Sequence, residues 1–197
     1  MVYITGDIHG DITFFNNPQL KRLTEKDILI VCGDFGFIWD PNDEKEKKNL
    51  EKLKKQKYTI CFLDGAHENF DILDSYPPYR YRGGNTHKIA DNIYHLLRGE
   101  IFDFDNKTFF VMGGGENLKN SEYKVNYILT YEAPAAAKDF LRMHTNNTTL
   151  QISILNNYLQ ELMKNVEYVH WYFGSLHLDL PISRKMTAVF EKIIPIK

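Results

Sequence analysis

The sequence predicts an α/β fold, with two mixed β-sheets flanked by helices in a single domain spanning 1-197. Three observations carry this prediction. Apolar runs recur at Val2 to Ile4, Ile28 to Cys32 and Tyr58 to Leu63, each β-branched or aromatic, strand-length, and suited to burial in a sheet. Helical patterns fall between them, the clearest being Asp43 to Lys57, where Leu50 and Leu53 sit at helical spacing among seven lysines and four acids. Residues 80–112 then break into short strand-like runs divided by turn residues, which read as meandering strands of a second sheet.

Each element has a local reason. The first strand stops at Thr5-Gly6-Asp7-Ile8-His9-Gly10, where the two glycines allow tight turns that bring a carboxylate and an imidazole to one point. Ile12 to Phe15, with Leu20 and Leu23, reads as a short helix and loop interrupted by Asn16-Asn17-Pro18. The second strand ends in Gly33-Asp34-Phe35-Gly36, repeating the device of the first. The third ends in Asp64-Gly65-Ala66-His67-Glu68-Asn69. In an open α/β sheet, ligands bind beyond the C-terminal ends of the strands, so three such endings converge on one edge. Spacing alone points to a hydrolytic metal site.

Further on, Thr86 to Ala90, Asn92 to Leu97, Glu100 to Phe104 and Lys107 to Met112 read as strands, with Arg98-Gly99 and Asp105-Asn106 as turns. His87 and His95 fall within them as packing or surface residues. Gly113-Gly114-Gly115 makes a flexible corner. Val125 to Leu129 is the next strand, followed by Thr130-Tyr131-Glu132-Ala133-Pro134. Ala135 to Arg142 and Leu150 to Lys164 read as helices, with His144-Thr145-Asn146-Asn147 between them. Val166 to Phe173 leads into Gly174-Ser175-Leu176-His177, and Thr187 to Ile194 is expected to close the second sheet.

Composition bounds the function. A chain of 197 residues supports a core of its own, and its 43% apolar and 25% charged residues are ordinary globular values. No apolar run approaches the roughly 20 residues of a membrane span, and the first run is too short for a signal peptide, so a cytoplasmic location is expected. With 24 basic against 26 acidic residues, the net charge of −2 argues against a surface given over to nucleic acid. A weak nucleic-acid clamp on Lys45 to Lys57 with Tyr79, Arg80, Tyr81 and Arg82 is the local exception. Cys32 and Cys61 lie inside apolar runs and read as buried small hydrophobes.

The motifs resemble those of the calcineurin-like metallophosphoesterases, in which Gly-Asp-x-His, Gly-Asp and Gly-Asn-His-Glu each follow a strand. The flanks Phe70-Asp71-Ile72-Leu73, Pro77-Pro78 and Gly83-Gly84 before His87-Lys88-Ile89 look like a small bacterial and phage branch of that superfamily. The resemblance implies two metal ions sharing the charge of a phosphate ester. The first ion's ligands carry over onto Asp7, His9, Asp34 and His177, two oxygen and two nitrogen donors that suit one divalent ion, zinc first, with manganese or iron as alternatives. The second ion would need Asp34 together with positions that here read Ala66, Tyr131 and Ser175. Alanine has no donor, a tyrosine phenol would have to lose a proton held to about pH 10, and a neutral hydroxyl is a poor ligand. Every loss falls on one ion, which predicts a mononuclear site. His67 matches the family's phosphate-contacting histidine and is the catalytic candidate if hydrolysis survives. The interval from Gly115 to Val125 is shorter than in the resembled branch, as if a lid-like insertion had been lost.

Two readings follow from the resemblance. In the first, the chain is a catalytically degenerate metallophosphoesterase that acts by binding a protein partner. It looks like a phage anti-CRISPR protein on this fold, whose partner is an RNA-guided (Cas) nuclease of a bacterial host. In the second, it is an active metal-dependent phosphodiesterase or phosphatase with a mononuclear or unusual site, in which Tyr131, Glu132 and Ser175 position substrate.

Overall fold

A computed structural model of the chain describes residues 1–114, 124–145 and 150–196. The architecture is the expected one, α/β with two mixed sheets flanked by helices. The first sheet holds β1 (Val2–Thr5), β2 (Ile28–Val31), β3 (Thr59–Phe62), β4 (Pro78–Tyr81), β5 (Gly84–Ala90), β6 (Ile93–Leu96) and, from the far end of the chain, β13 (Ile194–Ile196), in the order β13-β1-β2-β3-β6-β5-β4. The second holds β7 (Ile101–Phe104), β8 (Lys107–Met112), β9 (Tyr127–Thr130), β10 (His170–Phe173), β11 (Leu180–Ser183) and β12 (Met186–Ala188), in the order β11-β12-β10-β9-β8-β7. Four helices, α1 (Glu44–Lys54), α2 (Phe70–Ser75), α3 (Ala135–Thr145) and α4 (Ile154–Asn165), are described alongside them. Among the described residues, no helix is long and apolar enough to cross a membrane.

Burial follows the period of the strand. Along β1 and β2, Val2, Ile4, Ile28 and Ile30 face a core shared with Phe102, Phe104, Phe109, Val111 and Leu129 of the second sheet. The alternate residues Leu29 and Val31, with Ile60 and Phe62 of β3, pack outward on Phe15, Phe35, Leu53 and Leu73. On the other side of the molecule, Ile128, Trp171 and Phe173 pack against Ala137, Leu141's neighbour on α3, and against Leu155 and Leu159 of α4. Both faces of the central strands are therefore buried, which is why they read as unbroken apolar runs. Cys32 and Cys61 are free thiols within the shared core.

The helices start where their caps allow. Asp43 accepts from the amides of Lys45 and Glu46 to open α1, which buries Leu53 and leaves its lysines outward. Ser153 and Asn156 form a reciprocal capping box at α4.

Three expectations need correction. The strands between 80 and 112 do not form one meander in the second sheet. β4, β5 and β6 extend the first sheet, with Ile60 of β3 in register with Ile93, and only β7 and β8 join the second. The chain changes sheets at Arg98-Gly99, where Gly99 takes φ +75°. The run from Thr187 to Ile194 is also divided: β12 joins β10, but Ile194 to Ile196 pair antiparallel with Ile4 to Val2 of β1. Finally, the strand expected over Val166 to Phe173 begins only at His170, after Val166 has capped α4. The shortened interval after Gly115 and the stretch beyond Thr145 lie largely outside the described residues.

Candidate metal centre

In the first sheet β1, β2, β3 and β6 run parallel, and in the second β8, β9, β10 and β12 do, so the chain leaves β1, β2, β3, β9 and β10 at loops that carry the site. Asp7 and His9 follow β1, Asp34 follows β2, His67 follows β3, Tyr131 follows β9, and Ser175 and His177 follow β10. The close approach is made by glycine. A Cβ on Gly6 would collide with the Val189 carbonyl, and one on Gly65 would strike the Asp34 carboxylate.

The structure brings three of the predicted ligands, Asp7, His9 and His177, within reach of one another, and Asp34 meets them through His9. His9 Nε2 faces His177 Nε2 at 2.9 Å, His177 Nε2 lies 3.1 Å from Asp7 Oδ2, and His9 Nε2 lies 3.8 Å from Asp34 Oδ2. Donors about 2.0–2.1 Å from a tetrahedral ion stand about 3.3 Å from one another, so the contacts among Asp7, His9 and His177 have the separations of a group able to close on one cation. Two overlapping groups could hold an ion, Asp7 with His9 and His177, and His9 with Asp34 and His67. The second group assigns His67 a position that its sequence motif does not reveal, with Nδ1 3.0 Å from Asp34 Oδ2.

Three further observations fit a divalent cation. Asp7 is 5% exposed; its Oδ1 accepts from the Ser175 amide at 3.2 Å, while its Oδ2 makes no aligned hydrogen bond among the described residues and has His177 Nε2 as an ion-pair neighbour at 3.1 Å. Burial, opposed by that amide and aided by the nearby Asp34, raises its pKa to about 7. His9 is shifted the other way: burial first, and crowding by His177 and His67, outweigh Asp34 and hold its pKa below the usual value, leaving the imidazole neutral at pH 7. Lastly His9, Asp34, Ser175 and His177 all take left-handed backbone conformations, with φ of +51°, +41°, +59° and +50°. Such residues cost on the order of 1 kcal/mol or more each and persist where surrounding structure holds them for function.

Asp34 is the hub. Its Oδ1 accepts from the His67 amide at 2.7 Å, and its Oδ2 meets both His67 Nδ1 and the Tyr131 hydroxyl at 3.0 Å. Burial acts to raise its pKa, but these bonds prevail and hold it below the ordinary carboxylate range, so it is ionised. Tyr131 is shifted strongly upward by burial and by the neighbouring Asp34 and Asp7. It is therefore a phenol donating to Asp34, not a phenolate ligand. Ala66 and Ser175 complete the altered positions, and the Ser175 hydroxyl has no partner among the described residues.

Sequence reading missed the groups that brace these ligands. Asp64, 1% exposed, receives His95 Nε2 at 3.1 Å and Arg98 through Nε at 2.7 Å and Nη2. His95 in turn faces His87, Nδ1 to Nδ1, at 3.3 Å, so both histidines are core residues tied to the end of β3. Asp64 stood out in its strand ending, but its partners come from more than thirty residues later and no spacing rule finds them. Removing the carboxylate leaves Arg98 and His95 without it, so Asp64→Ala is expected to lower unfolding free energy by about 3 kcal/mol in chemical denaturation. An unchanged midpoint would show that the network does not hold the fold. On the other side of the site Phe190 stacks on His177 with centroids 4.8 Å apart, and its carbonyl is held by the Gly6 amide and the Thr5 hydroxyl, each at 2.9 Å. The basic and aromatic surface expected around Tyr79 lies on the edge strand β4, where Tyr81 stacks on Tyr94 and Arg82 covers Tyr81.

A two-sheet α/β sandwich that gathers carboxylates and imidazoles beyond its strand ends is the architecture of a metal-dependent phosphoesterase. The sequence model of the calcineurin-like phosphoesterase family matches residues 1–189, and the chain belongs to that family. The family uses divalent metal, and the two ligand groups are where this chain could carry it. No curated protein matches the chain significantly. Among solved structures it is similar to a protein of unknown function from Aquifex aeolicus, at 18% identity and a TM-score of 0.44, over 98% of this chain and 94% of that one.

Proposed function

We propose that the chain is a single-metal member of this family, catalytically degenerate, with Asp7, His9, Asp34 and His177 holding one divalent ion. Zinc is the ion that two imidazoles and two carboxylates suit best, with manganese and iron as alternatives. The observation that carries the reading is the hydrogen bond from Tyr131 to Asp34 Oδ2. The carboxylate that the resemblance makes the bridge to a second cation is here held by a neutral phenol, and Ala66 and Ser175 offer nothing to replace the lost ligands. A single ion supplies Lewis acidity toward a phosphoryl oxygen. His67, with a side chain 70% exposed, stands beside it to contact the phosphate or pass a proton to a leaving group. Without a second cation to share the developing charge, turnover is expected to fall roughly a thousandfold or more below that of a two-ion site.

Elemental analysis alongside a bis-p-nitrophenyl phosphate assay tests this. One ion per chain with feeble turnover is the expected result; two ions with rapid turnover overturns it. Residual activity abolished by His67→Ala would favour the second reading, a mononuclear phosphodiesterase, for which the placement of His67 against Asp34 is the supporting observation.

The stabilisation that the ion confers is expected to grow with pH. In the metal-free fold Asp7 keeps its proton up to about pH 7, against the ordinary value of 3.8 when unfolded. Between those values the folded chain binds the extra proton, so metal-free stability falls as pH rises. A cation takes the place of that proton. Thermal shift on adding zinc should therefore be larger at pH 8 than at pH 5.5; an equal or reversed shift would remove Asp7 from the ligand set.

The proposed mode of action is binding to a protein partner, and the partner class implied by the resemblance is an RNA-guided (Cas) nuclease in the cytoplasm of a bacterial host. Purified metal-loaded protein is expected to co-migrate with such a nuclease and reduce its DNA cleavage. If it does neither across representative nuclease types, that part of the proposal is wrong.

A further inference from the structure

Two of the altered positions do more than lack ligand atoms. Ala66 and Tyr131 both line a cavity of about 410 Å³, bounded also by Phe70, Arg98, Gly114, Glu132 and Leu155, and Tyr131 joins it to Asp34 by a hydrogen bond. The volume falls within the range of small-molecule sites. Its walls are mostly apolar: a methyl at 66, no side chain at 114, an aliphatic Leu155, and Phe70, which leaves 42% of its surface exposed.

The two charged walls are already partnered. Arg98 donates to Asp64 and lies over the Phe70 ring at 5.3 Å, and Glu132 meets Lys138 Nζ at 2.6 Å and Asn156 Nδ2 at 2.7 Å. Neither lacks a counter-charge, so the cavity does not call for an ionic group. Its inner end is different. Tyr131 donates to Asp34 Oδ2 there, and Ala66 adjoins His67, whose side chain is exposed beside the ligand cluster. A molecule filling the cavity thus has its apolar body at Phe70 and Leu155, and its other end at Tyr131, which bonds Asp34, and at Ala66, which precedes His67.

We infer that the half-site vacated by the second metal has become a pocket for the uncharged organic part of a phosphate ester, flat and aromatic in kind, whose phosphoryl group lies at His9, His67 and Asp34. A short residue at 66 opens the space, and the phenol at 131 both walls it and satisfies the carboxylate that a cation would otherwise neutralise. The inference rests on the one-ion reading.

Calorimetry on zinc-loaded protein tests it with two non-hydrolysable probes, phenylphosphonate and methylphosphonate, which share the charged group and differ in the organic part. Phenylphosphonate is expected to bind at least tenfold more tightly. Ala66→Phe, which fills the cavity from an exposed position, is expected to abolish that preference with metal content and melting temperature unchanged. Phe70→Ala should weaken the preference severalfold, and decides the matter if the first variant folds poorly. Equal affinities in the unaltered protein, or a preference that survives both substitutions, overturn the inference. The reading beneath it fails separately, because a second ion would appear in elemental analysis whatever the probe preference.

Discussion

Asp7→Ala and His177→Ala are each expected to strip the chain of its ion and to lower its melting temperature by about 5–10 °C when zinc is present. At free zinc a hundredfold above its dissociation constant, the bound ion adds about 2.7 kcal/mol to folding, and in a chain of this size each kcal/mol shifts the midpoint by about 2–4 °C. The two variants should part company without metal. Asp7 is a buried carboxylate that burial holds protonated up to about pH 7, so its removal relieves the metal-free fold above that pH. His177 is half exposed and its loss brings no such relief. Elemental analysis and thermal scans with zinc or a chelator check both points. Unchanged metal content and unchanged midpoints in both variants would show that these residues persist only as a polar network.

Restoring the missing donors should restore the second ion. A variant carrying Ala66→Asn, Tyr131→His and Ser175→His is expected to raise the metal content from one toward two per chain and hydrolysis of bis-p-nitrophenyl phosphate by about a hundredfold or more. Position 66 is exposed and accepts a longer side chain. Position 175 already holds its backbone at φ +59°, in a region that histidine enters more readily than most residues. Tyr131→Phe is the control. It removes the donor from Asp34 and adds no ligand, so metal content should stay at one. A folded triple variant that still binds one ion and stays inactive would mean that more than ligand loss separates this site from a two-ion centre. The same variant places an amide in the apolar cavity, so it should also lose the aryl preference.

These experiments act on features that differ in how plainly the sequence carried them. Asp7, His9, Asp34 and His67 were legible because each follows a short apolar run at glycine-rich turns, and both signals are local. His177 was legible only through resemblance, since its separation of 168 positions from His9 follows no spacing rule. The departures from the family's pattern at Ala66, Tyr131 and Ser175 could likewise be noticed in one dimension, but where their side chains go could not. Whether Tyr131 would turn away or donate to Asp34 depends on how β9 of one sheet meets β2 of the other, 97 residues apart.

By itself, then, the sequence determined the α/β class and the strand ends that carry the carboxylates and imidazoles, because backbone preference and side-chain alternation act over a few residues. The tertiary structure decided which strands share a sheet, sending β6 beside β3 and the last strand back to β1. It also decided that Asp64 is braced by Arg98 and His95, that Phe190 stacks on His177, and that Ala66 and Tyr131 wall one apolar cavity. Those outcomes follow from packing between segments distant in the chain, where shape and burial select among pairings that local pattern leaves equivalent.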